Sequence, residues 1–469
     1  MPSSPVDLQL VIGLGRSGVG AARLLQAQGS RVWLLDQQHT PQLAERAAQL
    51  RQEGIDVVLG TPLDTDCLAL LPALPSTVVV SPGLRWDHPL LVHLRQLGVA
   101  VQGELVPAWR AGRQVPWIGI TGTNGKTTVT HLVSHLLCSQ GLDAPMGGNM
   151  GHSAAELVLQ RCLSVQPPPQ WLVMELSSYQ IEAASEVAPR IGIWTTLTPD
   201  HLERHGSLDA YRAIKRGLLE RSELQILNAD DADLRAHASS WSRACWITAG
   251  PRQDLPPQLE PSFWIEDDQV WHRPAQGTAT PLMRADCLAM PGAHNRQNML
   301  MAVAAGLAAG LSVPQMEAGL ASFPGVPHRL ERLRCHQGIT YYNDSKATNY
   351  DAAQVALAAL QGPLVVLAGG EAKQGDANGW VLELKRQAPA VVLFGAAQEQ
   401  FKDLLLAGGY NGTIRTAPGL DAAVPQAAEL ARTLGAQAVL LSPACASFDQ
   451  YTDFEARGEH FRALVASLN

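Results

Sequence analysis

One octapeptide limits the folds open to this chain more than any other feature. Thr121-Gly122-Thr123-Asn124-Gly125-Lys126-Thr127-Thr128 stands between an apolar strand-like run, VPWIGI, and a helix-like run, VTHLVSHLLCSQG. A buried strand that turns through glycines into a helix belongs to a parallel α/β architecture. The glycines let backbone N–H groups turn inward around phosphate oxygens. The helix start adds partial positive charge, Lys126 adds a full one, and the Thr127 hydroxyl suits Mg²⁺. The string departs from the strict triphosphate-loop pattern, which needs Gly where Ile120 stands. Lys-Thr directly after Gly at a helix start still favours a phosphate ligand over a bare turn.

The α/β pattern recurs on both sides of this loop. Ahead of it, LQLVIGLG, GVGAARLLQAQG and RVWLLD read as strand, helix and strand, with STVVVSPG as a further strand. Behind it, WLVMELSS and IGIWTTLTPDH read as strands, YRAIKRGLLE as a helix, and NRQNMLMAVAAGLAAG as a helix with a buried Ala/Leu/Met face. Residues 249–281, rich in Pro, Gln and isolated aromatics, read as hairpins and loops. From FPGVPHR onward, PLVVLAGG, AVVLFGAA and AVLLSPACAS are strands that end in small or polar residues. At 469 residues, the chain divides into three α/β domains, 1–105, 106–325 and 326–469.

Bulk properties narrow the function. A net charge of −8 argues against an extended nucleic-acid surface. Seven scattered cysteines, none paired at metal or redox spacing, fit reduced thiols in cytosol. MPSSPVDLQLVIGLG reads as a first strand and not a secretion signal, and no run of about 18 apolar residues offers a membrane span. A cytoplasmic protein is expected.

Gly13-Leu14-Gly15-Arg16-Ser17-Gly18 after the first strand, with Asp36 ending the second, spells a dinucleotide fingerprint. Alone it would suggest an NAD-dependent oxidoreductase. The phosphate loop favours a nucleotide triphosphate instead, and a non-catalytic nucleotide-binding module is a further alternative. Residue types alone give bland readings elsewhere. Glu175 closes a strand and could be a solvated carboxylate or an acid of the Walker B kind. His201 could be a hydrogen-bonded loop residue. Lys215, on a helix with one basic face, reads as a surface lysine. The segment H-L-E-R-H at 201–205 matches neither zinc-protease order.

Ordered strings then give a resemblance. After the phosphate loop come Gly147-Gly148-Asn149-Met150-Gly151, Glu175-Leu176-Ser177-Ser178-Tyr179-Gln180, Thr198-Pro199-Asp200-His201, Tyr211-Arg212-Ala213-Ile214-Lys215 and Gly292-Ala293-His294-Asn295-Arg296-Gln297-Asn298. Pro327-His328-Arg329, Asn343-Asp344-Ser345-Lys346-Ala347-Thr348-Asn349 and Ser442-Pro443-Ala444-Cys445-Ala446-Ser447-Phe448-Asp449-Gln450 follow. In this order the chain resembles the Mur ligases from end to end; the related folylpolyglutamate synthetases share the phosphate loop. The last two strings look like the branch that adds D-glutamate, and the D-N-P-R string of the diamino-acid branch is absent.

The resemblance implies an N-terminal Rossmann-like domain for the UDP part of the substrate, a central P-loop ATPase-like domain, and a C-terminal Rossmann-like domain. It implies a monomeric ATP-dependent ligase of peptidoglycan precursor synthesis, joining D-glutamate to UDP-N-acetylmuramoyl-L-alanine through an acyl phosphate. Another Mur or folylpolyglutamate-type ligase is the alternative. ATP would lie on Gly122, Thr123, Asn124, Gly125, Lys126, Thr127, Thr128, Asn149, Asn298, Arg329 and Asp344. Two Mg²⁺ ions would be held by Thr127, Glu175, His201 and a carbamylated Lys215, with Lys126, Glu175, His201 and Lys215 as the catalytic set. The UDP substrate would meet Gly15, Arg16, Ser17, Asp36, Ser81, Pro82, Gly83, Asn149 and His201. D-Glutamate would meet Lys346, Thr348, Lys373, Ser447, Phe448 and Phe454. Family members often carry a basic residue just after Asp36; here Gln37-Gln38 leaves the uracil contact unassigned.

Overall fold

The computed structural model describes residues 7–290, 292–372 and 375–468. Three separate sheets give three α/β domains. The first holds β1 (Leu8–Ile12), β2 (Arg31–Asp36), β3 (Asp56–Leu59), β4 (Thr77–Val80) and β5 (Ala100–Gly103), in the order β3-β2-β1-β4-β5. All its pairings are parallel. The strand order reverses beside β1, so the turns after β1 and β4 adjoin at the carboxyl edge, where such sheets bind ligands.

The central sheet has nine strands. They are β6 (Trp117–Thr121), β7 (Met146–Gly148), β8 (Leu172–Glu175), β9 (Ile191–Trp194), β10 (Leu224–Asn228), β11 (Cys245–Thr248), β12 (Phe263–Glu266), β13 (Gln269–His272) and β14 (Thr280–Arg284). Their order is β14-β13-β12-β11-β10-β9-β6-β8-β7. The hairpin expected within 249–281 is β12–β13, antiparallel, and β14 extends it. Asp267 and Asp268, both at positive φ, make its turn. The helix Ala293–Ala308 is buried along Met299–Gly306 on every side, not on one face. It packs against the phosphate-loop helix Lys126–Cys138 in an apolar layer that includes Leu132, Leu136, Met299 and Val303.

These two domains form one compact unit through Phe323. The helix Arg16–Ala27 of the first packs on Ala154–Cys162 of the second. A Cβ on Gly20 would lie 2.3 Å from Ser153 Oγ, so glycine is what permits that approach.

The third domain is a second unit, from Pro324 onward. Its strands are β15 (Glu331–His336), β16 (Ile339–Asn343), β17 (Leu364–Gly369), β18 (Ala390–Phe394), β19 (Thr413–Ala417) and β20 (Ala438–Leu441), in the order β15-β16-β20-β17-β18-β19. β15 and β16 form an antiparallel edge hairpin, and the remaining pairings are parallel. β17, β18 and β20 are wholly buried, which is why they read as unbroken apolar runs. Among the described residues no helix is long and apolar enough to cross a membrane.

Candidate functional site

The phosphate loop leaves β6 at Thr121 and enters the helix at Lys126. Gly122 has φ +150°, and a Cβ there would fall 1.9 Å from Thr195 Oγ1. Any other residue would therefore open the loop. Its shape is set from outside: Thr123 N–H donates to Thr196 O at 2.8 Å, and Asn124 N–H to Thr196 Oγ1 at 2.9 Å. Gly125, at φ +83°, faces Asn298, whose Oδ1 would lie 3.0 Å from an added Cβ. Thr127 and Thr128 are buried. Lys126 Nζ donates to the carbonyls of Gly122 and Thr123, both at 2.7 Å.

Lys215 overturns the surface reading that its residue type suggests. It is 1 % exposed, and Nζ donates to Thr121 Oγ1 at 3.2 Å and to Gly122 O at 3.1 Å. The amine also lies 4.6 Å from the centre of the Tyr211 ring. Burial, then the nearby charge of Lys126, holds its pKa well below the ordinary lysine value. A neutral amine is the form that reacts with CO₂.

Glu175 is buried as well, not solvated. Asn149 closes over it, with N–H to Glu175 O and Nδ2 to Oε1, both 2.8 Å. Glu175 Oε2 is buried with no hydrogen-bond partner among the described residues. An orphaned carboxylate oxygen is costly without a cation or donor, so the position fits a hard divalent ion.

His201 stands differently. Its side chain is 45 % exposed and its backbone is left-handed at φ 53°. Nε2 lies 3.4 Å from Asp200 Oδ2, and the ring lies 5.0 Å from Tyr179. Among the described residues no three His, Cys, Asp or Glu side chains gather as a metal cluster. Mg²⁺ usually takes one or two protein oxygens, its remaining ligands being phosphate and water.

Residues that carry no assigned role in the sequence connect these groups. Tyr179 also meets His205 (5.4 Å), and His205 stacks on Tyr211 at 5.4 Å. Tyr211 Oη lies 3.3 Å from Thr123 Oγ1, and a His205 ring nitrogen lies 3.0 Å from Ser178 Oγ. Thr195 and Thr196, just after β9, shape the phosphate loop. The only sequence signal was aromatic and hydroxyl residues clustered inside the quoted strings.

In the first domain, a Cβ on Gly18 would lie 1.8 Å from Gly13 O, which requires glycine as the third member of the fingerprint. Asp36 is engaged by backbone: Leu14 N–H donates to Oδ2 at 2.7 Å and Gln38 N–H to Oδ1 at 2.8 Å. Ser81 Oγ donates to Gly13 O at 3.2 Å, joining the turns after β1 and β4. Gly15 and Arg16 are exposed, Ser17 is partly so, and Arg16 Nη1 donates to Gly151 O at 3.2 Å. Ser81 and Pro82 line a small cavity with Glu104, Tyr179, Gln180 and Arg204; Gly83 follows them in the turn after β4.

In the third domain, Asp344 is buried and accepts from Leu330 N–H at 3.1 Å and Ser442 Oγ at 2.9 Å. Burial pushes its pKa up to about 7. Arg329 N–H donates to Val326 O at 3.1 Å. Lys346 Nζ lies 5.2 Å from the Phe454 ring. Thr348 is partly buried, Ser447 is buried, and Phe448 is 70 % exposed. Arg457, which no motif reading named, ties the loops that carry Lys346 and Ser447. Its guanidinium donates to Ser345 O (2.7 Å), Ser345 Oγ (3.0 Å), Cys445 O and Ala446 O (both 3.1 Å). Lys373 lies outside the described residues.

Comparison with known proteins supplies matches along the chain. Residues 7–103 match the Mur ligase MurD-like N-terminal domain. Residues 120–306 match the Mur ligase middle domain, and 328–445 the Mur ligase glutamate ligase domain. UDP-N-acetylmuramoylalanine--D-glutamate ligase of Synechococcus sp. (strain CC9605) is 56 % identical over 460 residues, covering 98 % of each chain. The protein of the same name from Prochlorococcus marinus (strain MIT 9313) is 55 % identical over 464 residues, again covering 98 % of each. Among solved structures, the UDP-N-acetylmuramate-alanine ligase MurC of Thermotoga maritima shares the fold. It has a TM-score of 0.57 at 20 % identity, covering 98 % of this chain and 99 % of that one.

Proposed function

The chain belongs to the Mur ligase family, and from that premise we infer that it joins D-glutamate to UDP-N-acetylmuramoyl-L-alanine, with ATP cleaved to ADP and phosphate. The reaction needs the carboxylate of the L-alanyl group made electrophilic. The γ-phosphoryl group of ATP passes to that carboxylate, giving an acyl phosphate. The amine of D-glutamate attacks the acyl carbon, phosphate leaves, and the amine proton is lost to solvent or base.

One observation carries this reading. The amines of Lys126 and Lys215 converge on a single carbonyl of the phosphate loop, Gly122 O, at 2.7 and 3.1 Å. Lys126 brings a full positive charge to the loop that is to grip a polyphosphate, and its nearness helps keep the Lys215 amine neutral. Lys126 turns from those carbonyls to the β- and γ-phosphates. N–H groups of the loop and of the helix start bind further oxygens. Asn298, beside Gly125, borders the nucleotide, and Asn149 holds Glu175 in place.

Mg²⁺, when bound, offsets the repulsion between phosphate oxygens and the substrate carboxylate. Thr127 and Glu175 would hold one ion. His201 and Lys215, the latter carbamylated, would hold a second. The modification balances as amine plus CO₂ giving carbamate plus a proton, and the depressed pKa of Lys215 favours the neutral amine it starts from. Arg329 and Asp344 serve ATP from the third domain. Lys346, Thr348, Lys373, Ser447, Phe448 and Phe454 serve D-glutamate, the two lysines matching its two carboxylates. The first domain's fingerprint loop takes the pyrophosphate of UDP, with Gly15, Arg16, Ser17, Asp36, Ser81, Pro82 and Gly83 around it. That shared pyrophosphate is why the loop reads like a dinucleotide site. We place the reaction in the cytoplasm, with the chain acting as a monomer.

The test is phosphate release from ATP and Mg²⁺ in the presence of UDP-N-acetylmuramoyl-L-alanine, with each candidate amino acid in turn. D-Glutamate should be the one that drives turnover. Equal or faster turnover with L-alanine, a diamino acid or L-glutamate would overturn the assignment.

A further inference from the structure

Arg46 belongs to no motif quoted above. It lies on the helix Pro41–Gln52, partly buried, and its Nη1 donates to Leu14 O at 3.0 Å. Leu14 is fully buried, and its N–H is taken by Asp36 Oδ2 at 2.7 Å. Both polar groups of Leu14 are therefore pinned from opposite elements. A trans peptide is planar, and its carbonyl and the following N–H point in opposite directions. Holding Leu14 C=O toward Arg46 turns the Gly15 N–H the other way, away from Arg46, on an exposed residue. Gly15 is the N-cap of the helix Arg16–Ala27; it has no side-chain cap, and nothing lies within 4 Å of a Cβ built on it. The first N–H groups of that helix have no acceptor within it.

The charge of Arg46 adds to this. Among the described residues no carboxylate pairs with it, whereas Arg23 nearby in sequence is held by Glu53 at 2.7 Å. Its charge is thus not taken up in a direct ion pair. We propose that Arg46 is a positioning residue for the sugar-nucleotide substrate: it orients the Gly15 amide toward the pyrophosphate and supplies positive potential behind the loop. The inference rests on the reading of this loop as the UDP site.

Calorimetric titration of the full-length protein with UDP and with uridine tests it, alongside steady-state kinetics. Arg46→Gln should weaken UDP binding about 10-fold, from a less well oriented Gly15 amide and the loss of one nearby positive charge, and leave uridine binding within twofold. The KM for UDP-N-acetylmuramoyl-L-alanine should rise in step, with kcat and the KM for ATP within twofold. Arg46→Lys, which keeps the charge, should recover part of the UDP affinity and covers the case in which the glutamine variant folds poorly. Arg23→Gln serves as the control for a lost arginine on the same domain. Unchanged UDP affinity in both Arg46 variants would overturn the proposal, as would equal losses for UDP and uridine. Wild-type protein that binds no UDP would instead overturn the reading of the loop itself.

Discussion

The side-chain amide of Asn149 donates to Glu175 Oε1 at 2.8 Å, and Glu175 Oε2 is buried with no hydrogen-bond partner among the described residues. One oxygen is thus fixed, and in the proposed assignment the other takes the cation. Glu175→Gln keeps the shape and can keep the Asn149 bond through its remaining oxygen. It places an NH₂ group, or at best a neutral oxygen, where an anion stood. Turnover should fall about 10²–10³-fold, the scale of losing a few kcal/mol of transition-state stabilisation. Melting temperature should stay near wild type. Phosphate release measured against Mg²⁺ concentration checks this; a wild-type rate at saturating Mg²⁺ would remove Glu175 from the metal set.

Lys215 sets function against stability. Its pKa in the fold lies below the unfolded value, because burial and Lys126 both disfavour the ammonium. Between the two pKa values the unfolded chain binds the extra proton. Stability therefore rises with pH through that window and is lowest below the folded pKa. Lys215→Met removes the penalty. At pH 7 it should melt about 2–5 °C above unmodified wild type, with the gap closing toward pH 10.5. Activity should be lost, and added short carboxylic acids should restore part of Lys215→Ala turnover if a carbamate is what the site uses. Full activity in Lys215→Ala would end that assignment.

The same residue shows what the sequence could and could not disclose. The phosphate loop was legible because its chemistry is written in consecutive residues. Lys215 read as a surface lysine because its acceptors, Thr121 and Gly122, lie 94 and 93 residues away. The aromatic column from Tyr179 through His205 to Tyr211 was hidden for the same reason. Strands buried on both faces, such as β17 and β18, announced themselves as apolar runs. β15 and β19, at the edges of their sheet, carry ERLRCH and TIRTA, where polar residues break the pattern. β7 is three residues long with two glycines, too little for periodicity to register.

Glu104 joins the first domain to the second, and its environment predicts a pH effect unrelated to chemistry. It is 1 % exposed, accepts from Gln180 Nε2 at 2.8 Å, and has a buried Oε2 without a partner among the described residues. Burial raises its pKa to about 7. Between the unfolded carboxylate pKa and about 7 the folded chain holds the extra proton, so this group's contribution falls as pH rises through that window. Glu104→Gln should gain on the order of 2 kcal/mol over wild type at pH 8.5 and nothing near pH 4. Denaturant unfolding at the two pH values decides it; an equal shift at both would place the effect in packing rather than ionisation.

Arg457 makes the strongest prediction in the third domain. Among the described residues no carboxylate forms an ion pair with its fully buried guanidinium, which donates instead to Ser345, Cys445 and Ala446. Burial lowers its pKa to about 10, so it remains charged at neutral pH. Four hydrogen bonds hold together the loop that leads to Lys346 and Thr348 and the loop that leads to Ser447. Arg457→Met would remove all four bonds and leave the buried Ser345 carbonyl without its guanidinium donor, at a cost of about 3–5 kcal/mol. Arg457→Lys keeps the charge but lacks the planar fork, and should retain only part of the bonding. In that variant the KM for D-glutamate should rise about 10-fold or more, because the tether between the two loops is weakened. ATP binding to the phosphate loop should change little. A rise in the KM for ATP that matched the one for D-glutamate would show that Arg457 supports the whole domain and not the amino-acid loops.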